Sequence, residues 1–247
     1  MTQNLQRIEK QRLLVFDLAG TLIDEGSEAP IKAFEEAFKQ VGHPVTREAI
    51  VRYMGTNKRE HIGYILTEMD HDAWGKRFQA TATMTREQIY MDILERVYES
   101  FNIMIAEIIY DYIKPIEKVP EVIERLRTEK DFNVVITTGY NFPIRDIIVS
   151  ESKKYWTLPG PIICGDSVTI GRPWPYLIFR AMEVYGTQRP SLVTKIGDTL
   201  VDIYAAQNAG VRGVGVCTGT LKMDSWKAHG IPAMTSVANW FKEFPEN

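Results

Sequence analysis

Asp17 and Lys58 are the residues of this 247-residue chain whose surroundings best suit a reaction. Asp17 closes the apolar run Leu13-Leu14-Val15-Phe16 and is followed by Leu18-Ala19-Gly20-Thr21. A carboxylate at the exposed end of a buried strand is a candidate nucleophile; the same residue type also caps helices. Lys58 lies in Met54-Gly55-Thr56-Asn57-Lys58-Arg59-Glu60-His61. A lysine amine that is neutral when it attacks can condense with a carbonyl to form an imine, and burial favours the neutral form. On a helix, Met54, Lys58 and His61 fall at i, i+4 and i+7, on one face. That spacing predicts His61 beside the amine as a proton shuttle or water positioner, with Met54 as an apolar wall. The plain alternatives are a solvated lysine and a packed histidine.

Three more short motifs follow strand-like runs or turns: Thr137-Thr138-Gly139-Tyr140, Gly171-Arg172-Pro173-Trp174-Pro175 and Gly197-Asp198-Thr199-x-x-Asp202. Arg172 is either a charged fork for an anion or the partner of a surface carboxylate. Asp202 stands one helical turn after Asp198 and could simply cap its helix.

These motifs need a frame. Apolar runs at Leu13–Phe16, Asn133–Thr137, Pro161–Cys164, Leu192–Ile196 and Val211–Val216 read as buried parallel strands. Amphipathic segments at Val119–Lys130, Pro143–Lys153, Pro175–Tyr185 and Leu200–Ala209 read as the helices between them. Alternation of this kind predicts a doubly wound, Rossmann-like α/β core with ligands at the carboxyl ends of the strands. The stretch from Asp24 to Pro115 is too long for a loop. It reads as helices at Ala29–Val41, Thr46–Tyr53, Asn57–Met69 and Thr85–Ile113, the last opened by a Thr85/Gln88 capping box. Phe34, Phe38 and Val41 share one face, as do Ile89, Ile93, Val97 and Phe101, and both stripes read as core. The division is a core of residues 1–24 and 115–247 and an inserted α-helical cap of residues 25–114, with hinges near Glu25-Gly26 and Lys114-Pro115.

Taken in order on strand ends, the four core motifs resemble the haloacid dehalogenase superfamily. They are similar in particular to its phosphonoacetaldehyde hydrolase branch, as is the cap motif around Lys58. Ala19 stands where phosphatases of the superfamily usually hold a second aspartate. The resemblance covers about Leu13 to Gly219. It implies hydrolysis of a carbon–phosphorus bond through an imine on Lys58 and an aspartyl phosphate on Asp17. It also implies Mg²⁺ held by Asp17, the Ala19 carbonyl and Asp198, with Asp202 on a metal-bound water. Thr138, Gly139 and Arg172 would bind the phosphoryl oxygens of a small phosphonate or phosphate substrate, with Met54 lining the site. The run Asn141-Phe142-Pro143 and the segment after Gly219 depart from the branch's pattern. A Mg²⁺-dependent phosphatase or a hydrolase of another phosphonate in the same branch, and a non-catalytic phosphate or phosphonate binder, are the competing readings.

Composition narrows the partners. A net charge of −3 gives no electrostatic hold on nucleic acid or an anionic membrane. No apolar run is long enough to span a bilayer, and Met1 to Arg12 is polar, unlike a signal peptide. Cys164 and Cys217 read as two reduced, buried thiols, which points to a cytoplasmic protein. Met104 to Ile113 is apolar almost all round and, with the resemblance, predicts a homodimer through the cap. His43, His71 and His229 lack metal-ligand spacing and read as structural or surface residues.

Overall fold

The computed structural model describes residues 12–69, 84–129 and 132–244. Strand β1, Arg12–Asp17, is buried at every position after Arg12. A run apolar on both faces fits only the middle of a parallel sheet. β1 pairs in parallel with β2 (Phe132–Thr137) on one side and β4 (Val193–Gly197) on the other. With β3 (Ile162–Ile163), β5 (Arg212–Val216) and β6 (Ala233–Met234) the order is β3-β2-β1-β4-β5-β6. The order reverses between β1 and β4, where a doubly wound sheet opens its ligand crevice.

Helices cover both faces of this sheet. Leu14, Phe16, Val134 and Ile136 face a core layer that includes α5 (Val119–Glu129) and the C-terminal α10 (Trp240–Glu243). Leu13, Val15 and Val135 face a second layer built on α7 (Tyr176–Tyr185) and α8 (Leu200–Asn208). The alternation follows from the strand period of two residues. The remaining core helices are α6 (Phe142–Ser152) and α9 (Met223–Ala228).

Between β1 and β2 the chain inserts α1 (Glu28–Gln40), α2 (Arg47–Arg52), α3 (Lys58–Glu68) and α4 (Arg86–Ile108). Phe34 of α1 stacks on Phe101 of α4 with ring centroids 4.3 Å apart. The two crossing points of the insert touch each other: the Ile116 amide donates to the Leu22 carbonyl at 2.9 Å, and Ile23 bridges Pro115. The entry turn is left-handed at Asp24, Gly26 and Ser27. The Asp24 carboxylate accepts from the Glu28 and Ala29 amides at 3.0 and 3.1 Å and so caps α1.

The architecture expected from the sequence holds, with local differences. The long helix ends at Ile108 and tightens into a 3₁₀ turn, Ile109–Tyr112, so Ile113 lies beyond it. β3 shrinks to two residues at the sheet edge, where one neighbour alone supports it. β6 was not foreseen; it is equally short and pairs only with β5. Cys164 is buried, whereas Cys217 is only partly so, and both are free. His71 lies outside the described residues. No described helix is long and apolar enough to cross a membrane.

The capping box is present on both sides: Thr85 Oγ1 accepts from the Gln88 amide at 3.2 Å and Gln88 Oε1 from the Thr85 amide at 2.8 Å. Thr85→Ala is expected to cost about 1 kcal/mol. Urea unfolding followed by circular dichroism checks this, and an unchanged midpoint would mean the cap adds nothing to α4.

Candidate active site

The strand ends bring the core motifs together. Asp17 closes β1, Thr138 and Gly139 follow β2, and Asp198 follows β4. Asp17, Asp198 and Asp202 each place a carboxylate oxygen within 4.8 Å of the others, and all three are buried. Gly20, left-handed at φ 75°, makes the turn after the nucleophile candidate; a Cβ there would lie 2.4 Å from Asp198 Oδ2. A Cβ on Gly219 would come within 1.9 Å of the same oxygen. Asp198 is therefore cradled by backbone, with Ser27 Oγ donating to its Oδ2 at 2.9 Å.

Arg172 is 3% exposed and bridges Asp17, at 2.5 Å, and Asp202. Asp202 also accepts from Lys195 Nζ at 3.0 Å and from Thr199 Oγ1 at 2.7 Å. Burial would raise the Asp202 carboxyl, but Arg172, Lys195 and the Thr199 hydroxyl hold it at about 2. Burial pushes Asp17 up against the opposing pull of Arg172. Burial, then the charges of Asp17 and Asp202, push Asp198 well above the usual carboxylate range. Buried hard oxygens with excess negative charge fit a divalent cation such as Mg²⁺. Ala19 sits in the same turn, paired with Ile23. Asp202 has both oxygens engaged by protein donors, which places it behind the other two carboxylates as a candidate ligand.

The cap supplies Lys58. Asn57 Oδ1 caps α3 by accepting from the Arg59 amide at 2.9 Å, so Lys58 is the first helical residue. Its side chain is 8% exposed, with Nζ 5.3 Å from the Tyr140 ring centroid, 5.6 Å from Phe34 and 6.0 Å from Phe101. Burial, then the Arg172 charge, lowers its amine to about 8, although Asp17, Asp198 and Asp24 pull the other way. His61 is fully buried, and Nε2 faces the Ile50 carbonyl at 2.8 Å. A carbonyl only accepts, so Nε2 carries the proton and Nδ1 is bare, with no partner among the described residues. Burial and the neighbouring Lys58 charge hold the imidazole neutral.

One expectation needs correction. Met54 does not share a helix with Lys58 and His61, because Gly55 is left-handed at φ 93° and the helix starts only at Lys58. Met54 is nonetheless buried, and the turn has its own purpose. A Cβ on Gly55 would lie 2.5 Å from Thr199 Oγ1 of the core. Conversely, a Cβ on core Gly139 would lie 2.9 Å from the Thr56 carbonyl, and one on Gly171 3.1 Å from Asn57 Cβ. Residues 54–57 thus sit directly on the core loops, and the cap is closed.

Sequence reasoning missed Lys195, Ser27, Tyr140 and the Phe34–Phe101 pair as site residues. Lys195 had a signal, being the one charged residue in the run Val193-Thr194-Lys195-Ile196-Gly197. Ser27 had none, since its contact spans 171 residues. Tyr140 stood inside a quoted motif; its hydroxyl is buried with no partner among the described residues. His43 is buried and His229 exposed.

Comparison with known proteins agrees with this geometry. The haloacid dehalogenase-like hydrolase family pattern matches residues 14–216. Phosphonoacetaldehyde hydrolase of Bacillus cereus (strain AH820) is 34% identical over 216 residues, which are 87% of this chain and 78% of that protein. A bifunctional phosphonoacetaldehyde hydrolase/aminoethylphosphonate transaminase of Clostridioides difficile (strain 630) is 33% identical over 217 residues, 87% of this chain; the match spans 33% of that longer protein. Among solved structures, a phosphonoacetaldehyde hydrolase-like protein from Oleispira antarctica superposes with a TM-score of 0.79 at 26% identity, covering 94% of this chain and 90% of the other.

The lowered Lys58 amine sets a pH dependence. Acetic anhydride is attacked only by the neutral amine and does not itself titrate, so acetylation of Lys58 should rise with pH and level off above about 8. Surface lysines should keep accelerating towards about 10.4. Peptide mass mapping across the pH series checks this; a Lys58 rate still climbing at the higher value would show an ordinary amine.

Proposed function

Because the chain belongs to the haloacid dehalogenase-like hydrolase family, we propose that this enzyme cleaves the carbon–phosphorus bond of phosphonoacetaldehyde, giving acetaldehyde and phosphate. The observation that carries the reading is a buried, partly neutral Lys58 held over the same crevice as Asp17 and Arg172. The names of the relatives support it. Lys58 attacks the aldehyde and loses water to form a protonated imine. Asp17 attacks phosphorus; the O–P bond forms as the C–P bond breaks, and its electron pair enters an enamine on Lys58. A carbanion beside a free aldehyde is a far poorer leaving group. The enamine carbon takes up a proton, and hydrolysis of the imine releases acetaldehyde. Water then cleaves the aspartyl phosphate.

The other residues follow from these steps. Arg172, Thr138 and the Gly139 amide bind phosphoryl oxygens. Neutral His61, one turn from Lys58, offers bare Nδ1 as a proton acceptor during imine exchange. Met54 walls the site. Ala19 removes the acid that relatives cleaving esters usually hold there, and an enamine leaving group has no need of it. Asp17, the Ala19 carbonyl and Asp198 would hold Mg²⁺, with Asp202 on a metal-bound water, and the ion would supply charge neutralisation for the phosphonate dianion. The core comprises residues 1–24 and 115–247 and the cap residues 25–114. The reading places the enzyme in the cytoplasm as a homodimer through the cap, where Ile103 and Tyr110 are 57% and 48% exposed.

Purified protein with Mg²⁺ should release acetaldehyde and phosphate in equal amounts from phosphonoacetaldehyde. Asp17→Asn should abolish turnover in a folded protein. Borohydride added with substrate should inactivate the enzyme and label Lys58, and Lys58→Arg should lose both labelling and C–P cleavage. Phosphate release from simple esters alone, with no label on Lys58, would replace this reading with a phosphatase.

Light scattering at micromolar concentration should give a dimer mass. A monomer would remove the cap interface.

A further inference from the structure

Lys195 is a buried cation that none of the steps above uses. It lies in β4 with 0% exposure and pairs across the sheet with Val15 of β1. Its ammonium has three donors and three acceptors: Asp202 Oδ1 at 3.0 Å, Thr137 Oγ1 at 3.0 Å and the Ile196 carbonyl at 3.3 Å. Every proton is committed and the group is sealed from the crevice, so it does not touch substrate. An ammonium buried this deeply is costly unless fully paired, and removing one partner leaves the other charge stranded.

Its partners all lead to the phosphoryl end of the crevice. Asp202 Oδ1 is shared between Lys195 and Arg172, so the ammonium fixes the carboxylate against which the guanidinium rests. Thr137 immediately precedes Thr138 and Gly139, and its hydroxyl in turn reaches the Phe16 carbonyl at 3.3 Å, one residue before Asp17. Lys58, on the cap, makes no hydrogen bond to any of these groups among the described residues and feels Arg172 through its charge.

We propose that Lys195 is a positioning residue for phosphoryl binding: it locks Asp202, and through it Arg172, while anchoring the root of the Thr138-Gly139 loop. The inference rests on the phosphate-binding roles given above to Arg172, Thr138 and Gly139. It predicts that the two halves of the site can be separated. Lys195→Met should loosen the grip on phosphate far more than it alters the aldehyde chemistry of Lys58, which feels Arg172 only through its charge.

The test uses the full chain with Mg²⁺ and two readouts. Calorimetry measures the affinity for inorganic phosphate. Acetaldehyde with cyanoborohydride measures capture on Lys58 by peptide mapping. Lys195→Met is expected to weaken phosphate by about tenfold, the scale of one charge-assisted hydrogen bond, with the rate of capture changed far less. Phosphate affinity unchanged in a folded variant would overturn the proposal. So would an equal fall in both readouts, the mark of a merely structural role. Should Lys195→Met fail to fold by circular dichroism, Thr137→Val decides instead. It removes one acceptor of the ammonium and should weaken phosphate by about threefold with capture changed less; phosphate affinity left unchanged would overturn the proposal. Wild-type protein that binds no phosphate would strike down the phosphate-binding roles themselves, a different result from a variant that matches a binding wild type.

Discussion

The site depends on concentrating charge in a dry crevice. Asp17, Asp198 and Asp202 are buried within reach of one another, and Arg172 lies between two of them. Three carboxylates in such a place repel, and burial alone would drive them to protonate. Arg172 and Lys195 resolve this for Asp202, which is held at about 2. Asp198 has no paired cation among the described residues and is pushed well up by burial and by its two neighbours. The imbalance is local and directional: among the described residues no cation pairs with Asp198 where it faces Gly20 and Gly219, while Arg172 and Lys195 pair with Asp202. A hard divalent cation fits the first and adds nothing to the second.

The same constraint shapes the backbone around it. Carboxylates packed this closely leave no room for neighbouring side chains, so Gly20 and Gly219 face Asp198 and Gly197 faces Asp202. The cap meets the core under the same rule. Gly55 accepts Thr199 of the core, and Gly139 and Gly171 accept Thr56 and Asn57 of the cap. Bare backbone on both sides lets loop 54–57 descend until Lys58 is almost excluded from water. Its amine is lowered to about 8 first by that exclusion and then by Arg172, so the contact between cap and core is part of what favours the neutral form of the lysine.

The sequence was legible where a residue's neighbours in the chain are also its neighbours in space. The apolar runs ending in Asp17 and in Gly197-Asp198 sit on central strands, because burial on both faces imposes an unbroken apolar pattern. The Thr85/Gln88 box is likewise local. β3 and β6 were hard to delimit because two-residue edge strands owe their existence to one neighbour's register. Met54 was misplaced because helical spacing was extended through Gly55, whose φ of 93° serves a contact with Thr199 far along the chain. Ser27 was invisible for the same reason: its hydroxyl matters only because folding brings Asp198 beside it.

His61 shows how far the environment settles what a residue type leaves open. Its position one turn after Lys58 allows a proton shuttle, a water positioner or plain packing. Burial and the adjacent amine keep the ring neutral, and the Ile50 carbonyl fixes the proton on Nε2. Phe34 lies against the imidazole with centroids 4.3 Å apart and also faces the Lys58 ammonium. The ring therefore presents a bare nitrogen in an apolar box shared with the amine. Imine formation must take a proton from an ammonium-like adduct and return one to the departing hydroxyl. In the proposed imine chemistry, a neutral acceptor beside a lysine poised between its two protonation states suits the first of these transfers.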